Sequence, residues 1–285
     1  MRKGVVPNTS GLSIQTFGKI KSIFNQKNWP IDGYFHECFF DEFCKLMQEL
    51  DDQQQDTILS LTEEFVWVRD SEYIKYFSAV FHKLIVSLDI SKHKNIFICP
   101  LLPEENFGES KSSVALYYVI KSNLISIQNQ YNEFNIVGID APQSFDSSKF
   151  SEKSILCLID DFIGSGETSN IGAQFFTQKK GIEKSKIIIL SLIAMQQGID
   201  FLQGRGYTVF ATNILQKGIT GRKDGNENKY RTAMKKIENM INVKSKYEFG
   251  YSQSEALVKM MHTPNNTFPV YWLKNKKNPH APFPR

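Results

Sequence analysis

From residue 94 to about residue 213 the chain alternates short apolar, β-branched runs with segments of helical period, and this restricts its fold more than any other feature. KNIFICPLL (94–102), FNIVGID (134–140), SILCLIDD (154–161), KIIILSLIAM (186–195) and YTVFAT (207–212) read as strands. VALYYVIKSNLISIQNQY (114–131) and SNIGAQFFTQKKG (169–181) read as helices between them, the second stopped by Gly181. Strands without polar alternation are buried on both faces, which predicts a parallel sheet covered by helices on either side. Such sheets connect through right-handed crossovers and place ligands beyond the carboxyl ends of their strands.

The flanks differ. FFDEFCKLMQEL (39–50), DDQQQDTILSLTEEFVWV (51–68) and SEYIKYFSAVFHKLIVSL (71–88) space their apolar residues at three and four, as helices do. Asp51 or Asp52, and Ser71, are the expected N-caps of the second and third. Beyond residue 214 the rhythm is lost. A helix is expected at RTAMKKIENMI (231–241), and the rest is rich in Pro, Asn and aromatics, as an irregular cap would be. The expected organisation is a helical region over 1–92, an α/β core over 93–213 and a cap over 214–285.

A chain of 285 residues has room for one large domain, or a medium domain with an appendage. Its net charge of +4 is too mild to argue nucleic-acid binding. Lysines cluster in 235–246 and 272–278, as a solvated basic face or as a surface for a phosphate-rich partner. No apolar run approaches bilayer length, and the first residues lack the apolar core of a secretory signal. Cys38, Cys44, Cys99 and Cys157 have neither CxxC pairing nor metal-ligand spacing, so reduced core thiols in a cytoplasmic protein are expected. HExxH, GxSxG and a Walker A lysine are absent from the sequence.

The chemistry concentrates in CLIDDFIGSGETSNIG (157–172). Asp160 and Asp161 are expected to emerge at the carboxyl end of a buried strand, with Gly164, Ser165 and Gly166 turning into a helix. Glycines let backbone N–H groups converge on an anion, and a helix N-terminus adds partial positive charge. Ser165 and Thr168 add hydroxyls. A phosphate explains the loop but would be repelled by the aspartates. Carboxylates accept hydrogen bonds from ribose hydroxyls and favour a bridging cation, so a ribose 5-phosphate satisfies both halves.

This stretch resembles the phosphoribosyl-pyrophosphate signature of type I phosphoribosyltransferases, in which two acids precede a Thr-Gly-x-Thr-like loop. Asp160, Asp161, Gly166 and Thr168 match it, and Ser165 stands where threonine is usual. The resemblance implies a parallel twisted sheet of that kind and Mg²⁺ dependence. It implies ribose hydroxyls, and indirectly the metal, on Asp160 and Asp161, with the 5-phosphate held by Ile163, Gly164, Ser165, Gly166, Glu167 and Thr168. The pyrophosphate loop would fall in PEENFGESKSS (103–113), where Ser110, Lys111 and Ser112 are donors and Glu104, Glu105 and Glu109 oppose an anion. The same loop also reads as an acidic surface loop. A flexible catalytic loop would occupy APQSFDSSKFSEK (141–153), which holds Lys149 and Lys153.

The tail HTPNNTFPVYW (262–272), the closing PFPR (282–285) and the helical N-terminal region resemble phosphoribosyltransferase-like proteins of bacterial conflict systems, retron-type anti-phage operons included. That resemblance implies a defence effector using phosphoribosyl pyrophosphate or a related nucleotide. It also implies an operon-encoded partner, either an ATPase or a reverse transcriptase with its non-coding RNA, and a homo-oligomer. The alternatives are a non-catalytic nucleotide sensor and a structural partner of a toxin or ATPase. His262, Asn265 and Asn266 are candidates to contact an acceptor base, although a lone histidine and a Pro-Asn-Asn-Thr turn also read as structural. Tyr271 and Trp272 read chiefly as core of the cap.

Overall fold

The computed structural model describes residues 12–31, 39–89 and 91–285. In chain order its elements are α1 (Ile14–Gln26), α2 (Phe39–Gln48), α3 (Asp52–Glu63), β1 (Val66–Trp67), α4 (Tyr73–Ser87), β2 (Asn95–Pro100), α5 (Ser112–Ser122), α6 (Leu124–Gln130), β3 (Asn135–Gly138) and β4 (Ser154–Ile163). They continue with α7 (Glu167–Lys179), β5 (Ile187–Met195), α8 (Gln196–Gln203), β6 (Thr208–Leu215), α9 (Glu227–Met240), β7 (Val258–Lys259) and α10 (Pro269–Trp272).

The chain divides into two compact units, Val68–Gln216 and the segments on either side of it, so the boundaries fall after Trp67 and Gln216 rather than after 92 and 213. The reason is packing. Helix α4 lies against β5 and β6, burying Tyr73, Phe77, Val80, Phe81 and Leu84, and so belongs with the sheet.

The sheet unit is the parallel α/β core expected from the apolar runs. Its five strands lie in the order β3-β2-β4-β5-β6, and every pairing is parallel. All nine residues of β5 are buried, as a central strand covered on both faces requires. The helix expected over 114–131 is two, α5 and α6. Asn123 separates them, its side-chain amide bonding the carbonyl of Val119 at 2.9 Å and competing with helix continuation. The expected N-cap at Ser71 is replaced by a 3-10 turn over Asp70–Glu72, closed by Glu72 Oε2 on the Arg69 N–H at 3.0 Å.

The other unit joins α1–α3 to residues 217–285 through an aromatic core that includes Phe24, Phe43, Phe65, Phe268, Tyr271 and Phe283. Asp51 is the N-cap of α3, in a reciprocal capping box with Gln54. The helical pattern expected to Val68 stops at Glu63, because Val66 and Trp67 pair in parallel with Val258 and Lys259. Pairing over that sequence distance leaves no local trace. Cys99 and Cys157 are buried and Cys44 is half-buried, all free, while Cys38 lies outside the described residues. Among the described residues no helix is long and apolar enough to cross a membrane.

Candidate functional site

In this strand order β3 and β4 lie on opposite sides of β2, so the topological switch point falls between the carboxyl ends of β2 and β4. That crevice is where open α/β sheets bind ligands. The segments leaving the two strands run side by side. Leu101 N–H donates to the Ile159 carbonyl at 2.9 Å, and Phe107 packs edge-on against Phe175 of α7 with ring centres 5.0 Å apart.

The two aspartates lie within the strand, as expected, but not at its end. Strand β4 continues to Ile163, with Asp160 in register with Ser191 and Phe162 with Ile193. Leu156 and Leu158 share one core cluster with Ile163, and Ile187 and Ile189 share it with Ala194. Those odd spacings break the period of two that a regular strand keeps on one face. Both strands therefore change their facing between Leu158 and Ile163 and between Ile189 and Ala194.

The environments of the acids differ. Asp161 is 3 % exposed, and the phenol of Tyr73 donates to its Oδ2 at 2.9 Å. Asp160 is partly exposed, and its Oδ1 accepts the Asp161 N–H at 2.9 Å. Burial first, then the neighbouring Asp161 charge, push the Asp160 carboxyl well above the usual carboxylate range. No sequence signal singled out Tyr73. It looks like any aromatic on the apolar stripe of a helix.

Past Ile163 the chain turns through Gly164, Ser165 and Gly166 into α7. Gly166 is the N-cap of that helix at φ +83°, a conformation open to glycine and costly to other residues. The buried Gly198 of α8 faces this turn: a Cβ there would lie 2.9 Å from Ile163 Cγ2 and collide with the Gly164 carbonyl oxygen. Glu167 and Thr168 are exposed in the first turn of α7, and Ser165 Oγ lies 3.4 Å from the Glu167 N–H.

The loop after β2 is less open to an anion. Lys111 Nζ sits 2.6 Å from Glu109 Oε2, and Asn106 also donates to that carboxylate, at 3.4 Å. Ser112 begins α5. The segment over 141–153 is folded down, with Phe145 and Phe150 against Phe97 and Phe145 against Phe176. Lys180 Nζ ties the Phe145 carbonyl at 2.9 Å.

His262, Asn265 and Asn266 belong to the other unit. His262 is exposed, whereas Asn266 is 8 % exposed and donates to Tyr251 O and Ser254 Oγ. Tyr271 and Trp272 are core there, bonding Thr62 Oγ1 and the Thr267 carbonyl.

Among the described residues no cluster of three or more His, Cys, Asp or Glu is arranged to hold a metal. Two adjacent carboxylates still suit Mg²⁺, which commonly takes one or two protein oxygens and completes its shell from water and substrate phosphates.

A five-stranded parallel sheet with paired acids and a glycine turn at its switch point is the architecture of a phosphoribosyltransferase-like protein. The family model PRTase-CE matches residues 44–285. The chain belongs to that family. No curated protein matches it. Among solved structures it is similar to orotate phosphoribosyltransferase from Aeropyrum pernix, at 11% identity and TM-score 0.30, over 51% of this chain and 72% of that one. It is also similar to the AQ2163 protein from Aquifex aeolicus, at 9% identity and TM-score 0.32, over 65% of this chain and 87% of that one.

Proposed function

We propose that the chain binds phosphoribosyl pyrophosphate, or a related nucleotide, with Mg²⁺, and transfers the phosphoribosyl group to an acceptor. One observation carries the reading: at the sheet's switch point Asp160 and Asp161 run, within one turn, into Gly164–Gly166 and the N-terminus of α7. In this mechanism backbone N–H groups of 163–168 hold the 5-phosphate, and Asp160 accepts hydrogen bonds from ribose hydroxyls. The acceptor forms its bond to the anomeric carbon as the bond from that carbon to the pyrophosphate oxygen breaks, and pyrophosphate leaves with the bonding pair. Asp160 and Asp161 would hold Mg²⁺, which would supply positive charge for the departing pyrophosphate. An effector role in anti-phage defence is part of the proposal, supported by the resemblance of the N-terminal region and of the tail over 262–285.

The Lys111–Glu109 pair favours a second reading, a non-catalytic nucleotide sensor, because it occupies the one cation of the expected pyrophosphate loop. Calorimetric titration of phosphoribosyl pyrophosphate with Mg²⁺ into the wild type and an Asp160→Asn/Asp161→Asn variant tests the site. Binding lost in the variant supports it, and a folded wild type that binds nothing overturns it. Pyrophosphate release on adding cell metabolites or RNA separates the enzyme from the sensor.

A further inference from the structure

The two acids of β4 are held unequally, and the difference comes from a helix that the sequence assigns to another part of the chain. Tyr73 is the first residue of α4 and is fully buried. Its reach to Asp161 depends on where α4 is fixed, and α4 is fixed at the sheet's edge. Thr212 Oγ1 donates to the Tyr76 carbonyl at 2.6 Å, and Lys83 Nζ donates to the carbonyls of Ala211 and Thr212 at 2.9 Å each. These bonds tie α4 to β6 at two levels, about two turns of helix apart.

A buried carboxylate has four lone-pair directions to satisfy, and a phenol is a strong neutral donor for one of them. With Oδ2 of Asp161 engaged, that side chain is held toward α4. Asp160 keeps the partly exposed position, its carboxyl accepting the N–H groups of Asp161 and Phe162.

We propose that Tyr73 is a positioning residue for the phosphoribosyl site: its hydroxyl holds the Asp161 carboxylate so that Asp160 presents an oxygen to ligand hydroxyls. The inference rests on the reading that this site binds phosphoribosyl pyrophosphate. Without the hydroxyl, Asp161 Oδ2 loses its donor in a buried site, and the carboxylate turns toward other donors. A turned Asp161 carboxylate disturbs Asp160, its neighbour in the strand, so the ligand-facing geometry is lost although neither acid has been removed. Partners of this kind typically cost about 10- to 100-fold in affinity when deleted.

The test is a double-mutant cycle with wild type, Tyr73→Phe, Asp161→Asn and the pair, each titrated calorimetrically with phosphoribosyl pyrophosphate and Mg²⁺ and each melted. Tyr73→Phe is expected to weaken binding about tenfold. In the Asp161→Asn background it is expected to change affinity less than twofold, which a general packing defect would not do. Wild-type affinity in Tyr73→Phe, or equal losses in both backgrounds, overturns the assignment and leaves the functional reading intact. A wild type that binds no phosphoribosyl pyrophosphate overturns both. Should Tyr73→Phe melt below the assay temperature, the pair is compared with Asp161→Asn directly. Equal affinities support the assignment, and a further tenfold loss, or a pair that also fails to fold, overturns it.

Discussion

A Cβ at Gly166 would stand 2.8 Å from the carbonyl oxygen of Gly198, while one at Gly198 would run into the carbonyl of Gly164. The turn after β4 and the first turn of α8 thus meet backbone to backbone. Gly198→Ala should destabilise by about 1–3 kcal/mol, although alanine is the better helix former by roughly 1 kcal/mol. It should also weaken phosphate binding, because relief of the contact moves the Gly164–Gly166 turn. Gly18→Ala in α1, where the added Cβ meets nothing within 4 Å, should instead stabilise by about 0.5–1 kcal/mol. Paired melting curves with a ligand titration of Gly198→Ala check both.

Asp160→Asn should make the ligand-free protein more stable at neutral pH while abolishing binding. The folded state holds the Asp160 proton to higher pH than the unfolded chain does, so the stability linked to that proton is lost as pH rises. The amide has no proton to lose and does not repel Asp161. A rise in Tm of roughly 2–4 °C per kcal/mol is the expected scale, and a fall in Tm at pH 7 would refute the point.

Glu238 is 1 % exposed. Its Oε1 accepts the Phe249 N–H at 2.8 Å and its Oε2 has no partner. Burial pushes its carboxyl from an ordinary 4.5 up to about 8, against the Phe249 bond, which favours the charged form. The unfolded chain ionises near 4.5 and the folded one near 8, so rising pH favours unfolding throughout that window. The loss should total roughly 3–5 kcal/mol and level off above the folded value. Glu238→Gln should flatten this slope. Urea melts from pH 4 to 9 read it directly, and unchanged slopes in wild type and variant would contradict it.

Glu255, 1 % exposed at φ +50°, accepts from Ile219 N–H, Thr220 N–H, Thr220 Oγ1 and Arg231 Nη2. An amide in its place turns one acceptor into a donor facing donors. Glu255→Gln should cost about 2–4 kcal/mol, whereas Arg231→Met, which leaves three of those donors in place, should cost about 1–2 kcal/mol. Chemical denaturation of the two variants ranks them, and the reverse order would contradict the assignment.

What the sequence made legible was whatever is decided locally. Apolar runs such as IIILSLIAM gave β5 almost to the residue, and the acids followed by Gly-Ser-Gly marked the switch point. Ladder pairing with β5 carries β4 past Asp161 to Ile163, which a local pattern of two charges cannot show. Helix α4 has the same periodicity as α2 and α3, yet its apolar face lies on the sheet while theirs lies in the aromatic core. Periodicity identifies an apolar face but not the surface that covers it, and for that reason Tyr73 stayed invisible as a partner of Asp161.

The α/β unit is one uninterrupted stretch, Val68–Gln216, whereas its companion is split across both ends of the chain. During synthesis the sheet can close as soon as β6 has left the ribosome, but Val66 and Trp67 must wait for Val258 and Lys259. The Asp160 site is therefore assembled before the second core exists, and Phe24, Phe43 and Phe65 stay without Tyr271 and Phe283 until those residues have been made. A stalled or clipped chain would carry a finished Gly164–Gly166 turn and an unfinished apolar surface, the kind of intermediate that holdase chaperones retain.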